Sequence, residues 1–160
     1  MGHLRWLVLA GCANTCPSNA KHAPCGDQTI LTQDTAQTLT AQNGTGAAAK
    51  GLLDPEIGVN WYTYNAMPGT FEHADPEVYL HAPEPMRVCV YMDCPGGQCP
   101  SGTEPATAPN GAAGCCASGT YQHFQIFGCN DGNVNVWMSV ELDHASECNA
   151  CLGYELDYNW

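Results

Sequence analysis

Positive charge is what this sequence has least of. Four basic residues, Arg5, Lys21, Lys50 and Arg87, face 16 Asp and Glu, and the formal net charge is −12. Binding to nucleic acid draws its affinity from cations that displace counterions from phosphates. Adsorption to an anionic lipid surface needs the same cations. No nucleic-acid partner is therefore expected. Charged residues make up only 12% of the chain, about half the usual ~25%. The Glu, Lys and Arg side chains that stabilise exposed helix surfaces are scarce, and no long helical period appears. No apolar run is long enough to span a bilayer. Also missing are His-Glu-x-x-His, Gly-x-Ser-x-Gly, a P-loop and Gly-x-Gly-x-x-Gly. The sequence thus offers no motif for a catalytic zinc, an acyl-transfer serine or a bound nucleotide. The acidity permits Ca²⁺ or basic partners, and no cofactor is required.

Cysteine, by contrast, is abundant: Cys12, Cys16, Cys25, Cys89, Cys94, Cys99, Cys115, Cys116, Cys129, Cys148 and Cys151, 11 in 160 residues. That density points to an oxidising compartment. The odd member is explained at the N-terminus. Arg5 precedes the apolar run Trp6–Leu9, and small residues lead to Cys12, as in a signal peptide. Leu9-Ala10-Gly11-Cys12 resembles the bacterial lipobox, which implies a diacylglycerol thioether on Cys12 as the mature N-terminus. The remaining ten cysteines are then even in number and read as disulfides. Cys16 with Cys25 is the expected local pair, and adjacent Cys115 and Cys116 should each find a different distant partner. Cys148-Asn-Ala-Cys151 has zinc or redox spacing, but no second C-x-x-C pair accompanies it, and the following Leu-Gly-Tyr-Glu-Leu reads as a strand.

Residues 13 to about 28, rich in Asn, Pro and Ser, read as a tether. Period-2 alternation then marks strands. Thr38–Thr40 is a short candidate. In Ile57–Tyr64, Ile57, Val59, Trp61 and Thr63 share one face. In Met86–Asp93, Met86, Val88, Val90 and Met92 point inward. Tyr121–Phe127 follows, then Asn133–Leu142 with Val134, Val136, Met138 and Val140 on one face. Gly153–Tyr158 closes the chain with Tyr154, Leu156 and Tyr158 aligned. Asn130-Asp131-Gly132-Asn133 is a hairpin turn signal. Between Cys94 and Thr120, Gly and Pro leave no apolar period, so an irregular loop of about 25 residues, stapled by cysteines, is expected. These signals predict an all-β fold, a jelly-roll-like β-sandwich with a long disulfide-stapled loop. The layout is a short, truncated-looking signal peptide (1–11), a lipid anchor and tether (12–28) and one sandwich domain (29–160).

The strings Ala36-Gln37-Thr38-Leu39-Thr40, Lys50-Gly51-Leu52-Leu53 and Val59-Asn60-Trp61-Tyr62-Thr63-Tyr64 together resemble the bacterial pre-peptidase C-terminal domain. Val88–Met92, Val136–Val140 and the Tyr-x-Leu pattern at Tyr154–Tyr158 are similar to its later strands. Cys99–Thr103 and Gly114–Ser118 look like a cysteine-rich variant in surface lipoproteins. The resemblance implies a sandwich that is not itself catalytic, with relatives that bind Ca²⁺ or an extracellular polymer. Where that family is acidic before the tryptophan this chain has Val59 and Asn60, so the resemblance brings no Ca²⁺ ligand set there.

The expected function is therefore a non-catalytic, lipid-anchored module with a binding or structural role at a bacterial cell envelope. Its partners would be the membrane, through the anchor, and a polysaccharide or another envelope protein. Two alternatives stand beside it. Glu72, His73, Asp75, Glu77 and His81 are ligand types for a metal-dependent enzyme, or else an exposed acidic loop between strands. Trp61, Tyr62, Tyr91 and Trp137 could form the stacking surface of a carbohydrate-binding module, or else core.

Overall fold

The computed structural model describes residues 30–41, 47–54, 58–68, 73–94, 96–127, 129, 133–143 and 151–160. They form eight strands: β1 (Gln37–Thr38), β2 (Ala47–Leu53), β3 (Val59–Ala66), β4 (Glu77–Met92), β5 (Glu104–Thr107), β6 (Ala113–Gln125), β7 (Val134–Leu142) and β8 (Leu152–Asn159). A single 3-10 turn, Gln33–Thr35, precedes β1. The all-β expectation holds. Of the candidate Thr38–Thr40 strand only Thr38 is in β1, which runs parallel to β3.

The architecture follows from β4. Its segment Ala82-Pro83-Glu84-Pro85 carries two residues without a backbone N–H, so the ladder cannot run through it. The register with β6 shifts there, from His81↔Tyr121 to Met86↔Gly119. On one side of the bend β4 pairs with β7, and on the other with β8. One hydrogen-bonded network thus folds into two facing layers. The first has the order β1-β3-β7-β4-β6-β5. The second is β2-β8-β4-β6, with β2 antiparallel to β8.

The inward faces alternate as period-2 chemistry requires. Val134, Val136, Met138 and Val140 of β7, Met86, Val88, Val90 and Met92 of β4, and Tyr154, Leu156 and Tyr158 of β8 all lie in the main core. Each fully buried side chain of this size contributes roughly 1.5–3 kcal/mol. Polar groups cross the core in pairs. Asn60 donates to the Tyr154 hydroxyl at 2.8 Å and to the Leu52 carbonyl at 3.0 Å, and the Tyr62 and Tyr154 hydroxyls meet at 2.5 Å. Burial pushes both phenols up. Gly51 pairs with Tyr154, and a Cβ there would fall on the Tyr154 ring.

Two expectations are corrected. The segment Cys94–Thr120 is not one irregular loop. It contains β5 and the first part of β6, joined by a tight turn over Ala108–Ala112 in which Gly111 has φ 88°. Ala113, Gly114, Ala117 and Ser118 lack the β-branched and aromatic signature of strands. They belong there because β4 packs closely: a Cβ on Gly114 would lie 2.6 Å from Tyr91 Cδ1. The stapling itself is present, through Cys94–Cys129 and Cys99–Cys115. The turn signal at Asn130-Asp131-Gly132 lies outside the described residues, and the strands on either side of it do not pair as a hairpin, because β6 and β7 lie on opposite sides of β4.

Gly114→Ala should therefore destabilise the domain by about 1–3 kcal/mol through overpacking. An unchanged melting temperature would show that β4 and β6 can separate at no cost. Replacing Cys89 and Cys116 together by Ala, which opens a link spanning 27 residues, should cost about 2–4 kcal/mol, measured by denaturant unfolding.

Candidate functional site

The outer face of the first layer carries a second, smaller apolar cluster: Trp61, Cys89, Tyr91, Ala108 and Cys116, with Trp137 partly buried against it. Register explains the grouping. Trp61 of β3 sits opposite Ser139 of β7, and Trp137 opposite Thr63 and Tyr91. Trp61 and Tyr91 stack with ring centroids 5.7 Å apart. Burial pushes the Tyr91 phenol up, while its hydrogen bond with Ser139 works against that. Three of the four aromatic candidates thus come together. Tyr62 does not join them: one residue from Trp61 on a strand, it faces the opposite way and is 1% exposed in the core.

Beside Trp61 the 3-10 turn and the β5–β6 turn enclose a cleft of about 380 Å³ lined by Thr32, Gln33, Asp34, Trp61, Pro109 and Asn110, among others. Thr32 and Thr35 close the turn reciprocally, each through its hydroxyl and the other's backbone. Gln33 Oε1 accepts from the Asn110 backbone N–H at 2.9 Å, tying the two turns together. The sequence contains no pattern that marks Gln33. Its role depends on a contact across 77 residues.

The acid and histidine set is divided between the segment that leads into β4 and the first residues of β4 itself. Glu72 lies outside the described residues. His73 and Asp75 precede β4, and Glu77 and His81 are within it, both on the outer face of the second layer. There Glu77 Oε1 accepts from Tyr79 at 2.8 Å and lies 2.7 Å from His123 Nε2. Its Oε2 accepts from Asn159 at 3.0 Å. Tyr79 and His123 stack with centroids 4.0 Å apart. His81 pairs with Tyr121 on β6 and Glu155 on β8. Among the described residues no three His, Cys, Asp or Glu side chains gather where they could hold a metal ion. Tyr79 lies two residues along the same strand as Glu77; His123 and Asn159 were invisible as its partners in the sequence, because cross-strand neighbours depend on register.

The described cysteines also sort by face. Cys89 pairs with Cys116 on the outer side, and Cys115 with Cys99 on the core side, so the two adjacent cysteines do take different partners. Cys151 is disulfide-bonded as well. Cys12, Cys16, Cys25 and Cys148 lie outside the described residues.

No family model and no curated protein matches the chain. Among solved structures it is similar to the pre-peptidase C-terminal domain of a collagenase from Bacillus anthracis, with 14% identity and a TM-score of 0.43, over 78% of this chain and 94% of that one. That neighbour bears the name of the family the strand wording resembles.

Partial burial works to raise the Glu77 pKa, but its hydrogen bonds to His123, Tyr79 and Asn159, with the His123 charge, outweigh it and the net direction is down. A carboxylate held low stabilises the fold above its unfolded-state pKa and loses that contribution as pH falls through the folded value. Wild type should therefore melt higher than Glu77→Gln at neutral pH, and the difference should close on acidification below the ordinary carboxylate range. A difference that persists unchanged into strong acid would mean the carboxylate charge is not what matters.

Proposed function

We propose that this chain is a non-catalytic module held at a bacterial cell envelope by an acyl group on Cys12, where it binds or braces a partner without transforming it. The observation that carries the reading is the state of the sulfurs. All seven described cysteines, Cys89, Cys94, Cys99, Cys115, Cys116, Cys129 and Cys151, are in disulfides. Such bonds form and persist outside the reducing cytoplasm. The anchor rests on Leu9-Ala10-Gly11-Cys12 and on the parity it restores. The absence of catalysis is supported by how the polar side chains are used. Glu77 is held by three partners on a sheet face, and Asn60, Tyr62 and Tyr154 are held by one another inside the core.

Intact mass of the membrane-extracted protein, alkylated without reduction, tests both parts. A chain beginning at Cys12, carrying lipid and no alkyl group on its other ten cysteines, is the expected result. A mass that retains the residues before Cys12 would overturn the anchor. Several alkylated thiols would overturn the extracytoplasmic placement.

A further inference from the structure

A strand at the edge of a sheet presents unpaired N–H and C=O groups, and native proteins blunt such edges with proline, charge, shortness or a cover. Three edges here are treated that way. β5 carries Glu104 and Pro105, and β2 carries Lys50 at its centre. The β3 edge is met by the two residues of β1 and by backbone bonds to Ile30 and Leu39. The fourth edge is different. β5 covers β6 only from Ala113 to Cys116. Among the described residues no strand lies beside residues 117–125 of β6 on the side away from β4. Residues 118–125 include no Pro, Asp, Glu, Lys or Arg, in a chain whose net charge is −12. The register with β4 shifts at Gly119, and Gln98 bridges Phe127 beyond the far end. Residues 120–124 are therefore the regular stretch open to a new ladder.

The side chains indicate what pairs there. Tyr121 and His123 stand on the outer face, and Tyr121 is 62% exposed. On the β4 side of the strand, Tyr79 lies directly opposite His123, and their rings stack with centroids 4.0 Å apart. A two-fold axis through Gln122, perpendicular to the sheet, sets Tyr121 of one copy opposite His123 of the other, and the reverse. The Tyr–His pair that the chain makes within itself is then made twice more between copies. Directly opposite residues of an antiparallel pair share a face and interact, and an isologous contact needs only one self-complementary patch. Charge does not stand in the way. The acid nearest to β6 on this face is Glu77 of the adjoining β4, and the two copies of it lie at least three strand spacings apart, about 14 Å. That exceeds the ~8 Å screening length at physiological salt. Asp143 and Asp75, held near the two ends by Ser118 and Gln125, fall outside the paired stretch. We propose that β6 pairs with β6 of a second copy of this chain, antiparallel about Gln122, joining the two second layers into one continuous sheet. A contact this short is well below the ~20–30 residues a side of a stable interface, so the dimer is weak and forms where copies are concentrated. It rests on the edge alone and stands or falls separately from the anchor on Cys12.

The test uses the full, disulfide-bonded chain carrying Cys12→Ser, which stays in solution whether or not Cys12 is a lipidation site. Its mass is followed by sedimentation equilibrium from about 10 μM to about 1 mM, a range that reveals association as weak as millimolar. The expected result is a mass that rises with concentration from monomer toward dimer. Tyr121→Glu, at an exposed position, should weaken the association about 10-fold or more. His123→Lys keeps a cation beside Glu77. Mixing it with Tyr121→Glu should recover association, because the two-fold sets the introduced carboxylate against the introduced ammonium. Recovery would also show that both variants are folded. If the unsubstituted strand leaves the chain monomeric throughout, or if Tyr121→Glu associates as strongly, the proposal is overturned. It is equally overturned if the mixture associates no better than Tyr121→Glu alone, since the axis would then not pass through Gln122.

Discussion

Pro83 and Pro85 offer no backbone N–H, and the rest of the domain is arranged around that gap. Without it β4 would run as one straight strand with a single pair of neighbours. With it, β4 turns a corner and hydrogen-bonds to β7 before the chain's end and to β8 at the end itself. The two layers are therefore halves of one sheet, and the core is the space that sheet encloses. The buried hydroxyls of Tyr62 and Tyr154, with the Asn60 amide that donates to Tyr154, are placed near the corner, where Glu155 of β8 pairs with His81. They satisfy one another because no water reaches them.

Much of this was legible from the residues in order. Strands with large side chains announced themselves, because alternating Val, Met, Tyr and Leu can bury one face in only one way: Val134 to Val140 and Tyr154 to Tyr158 are buried as their pattern requires. The first part of β6 was not legible. Its Gly and Ala residues look like turn formers when read alone, and at Gly114 the Val90 carbonyl and the Tyr91 ring across the ladder explain why nothing larger stands there. The aromatic candidates were recoverable as a group, since Trp61, Tyr91 and Trp137 are odd-numbered positions on adjoining strands. Tyr62 was misplaced because both faces of β3 are aromatic, and composition cannot say which one is inside.

The pairs that depend on register were out of reach of the sequence. Glu77 meets His123 across 46 positions and Gln33 meets Asn110 across 77. Neither distance is marked by any motif, since each arises from how many residues the intervening loops consume. The described metal-ligand types were real as chemistry but spread out, His73 and Asp75 ahead of β4 and Glu77 and His81 along it. There, successive residues alternate between faces and rise about 3.3 Å apiece, too far apart to close on one ion without help from another element.

Cys115 and Cys116 are neighbours in sequence whose sulfurs leave β6 in opposite directions, one into the core to Cys99 and the other outward to Cys89. A slip of β6 by one residue would exchange their sides, presenting each sulfur to a space where its partner is absent. Oxidation can complete both links only in the native alignment. The vicinal pair thus acts as a two-pin key: one bond alone could be made by a misaligned strand, but two pointing in opposite directions record that the strand was in place when the bonds closed.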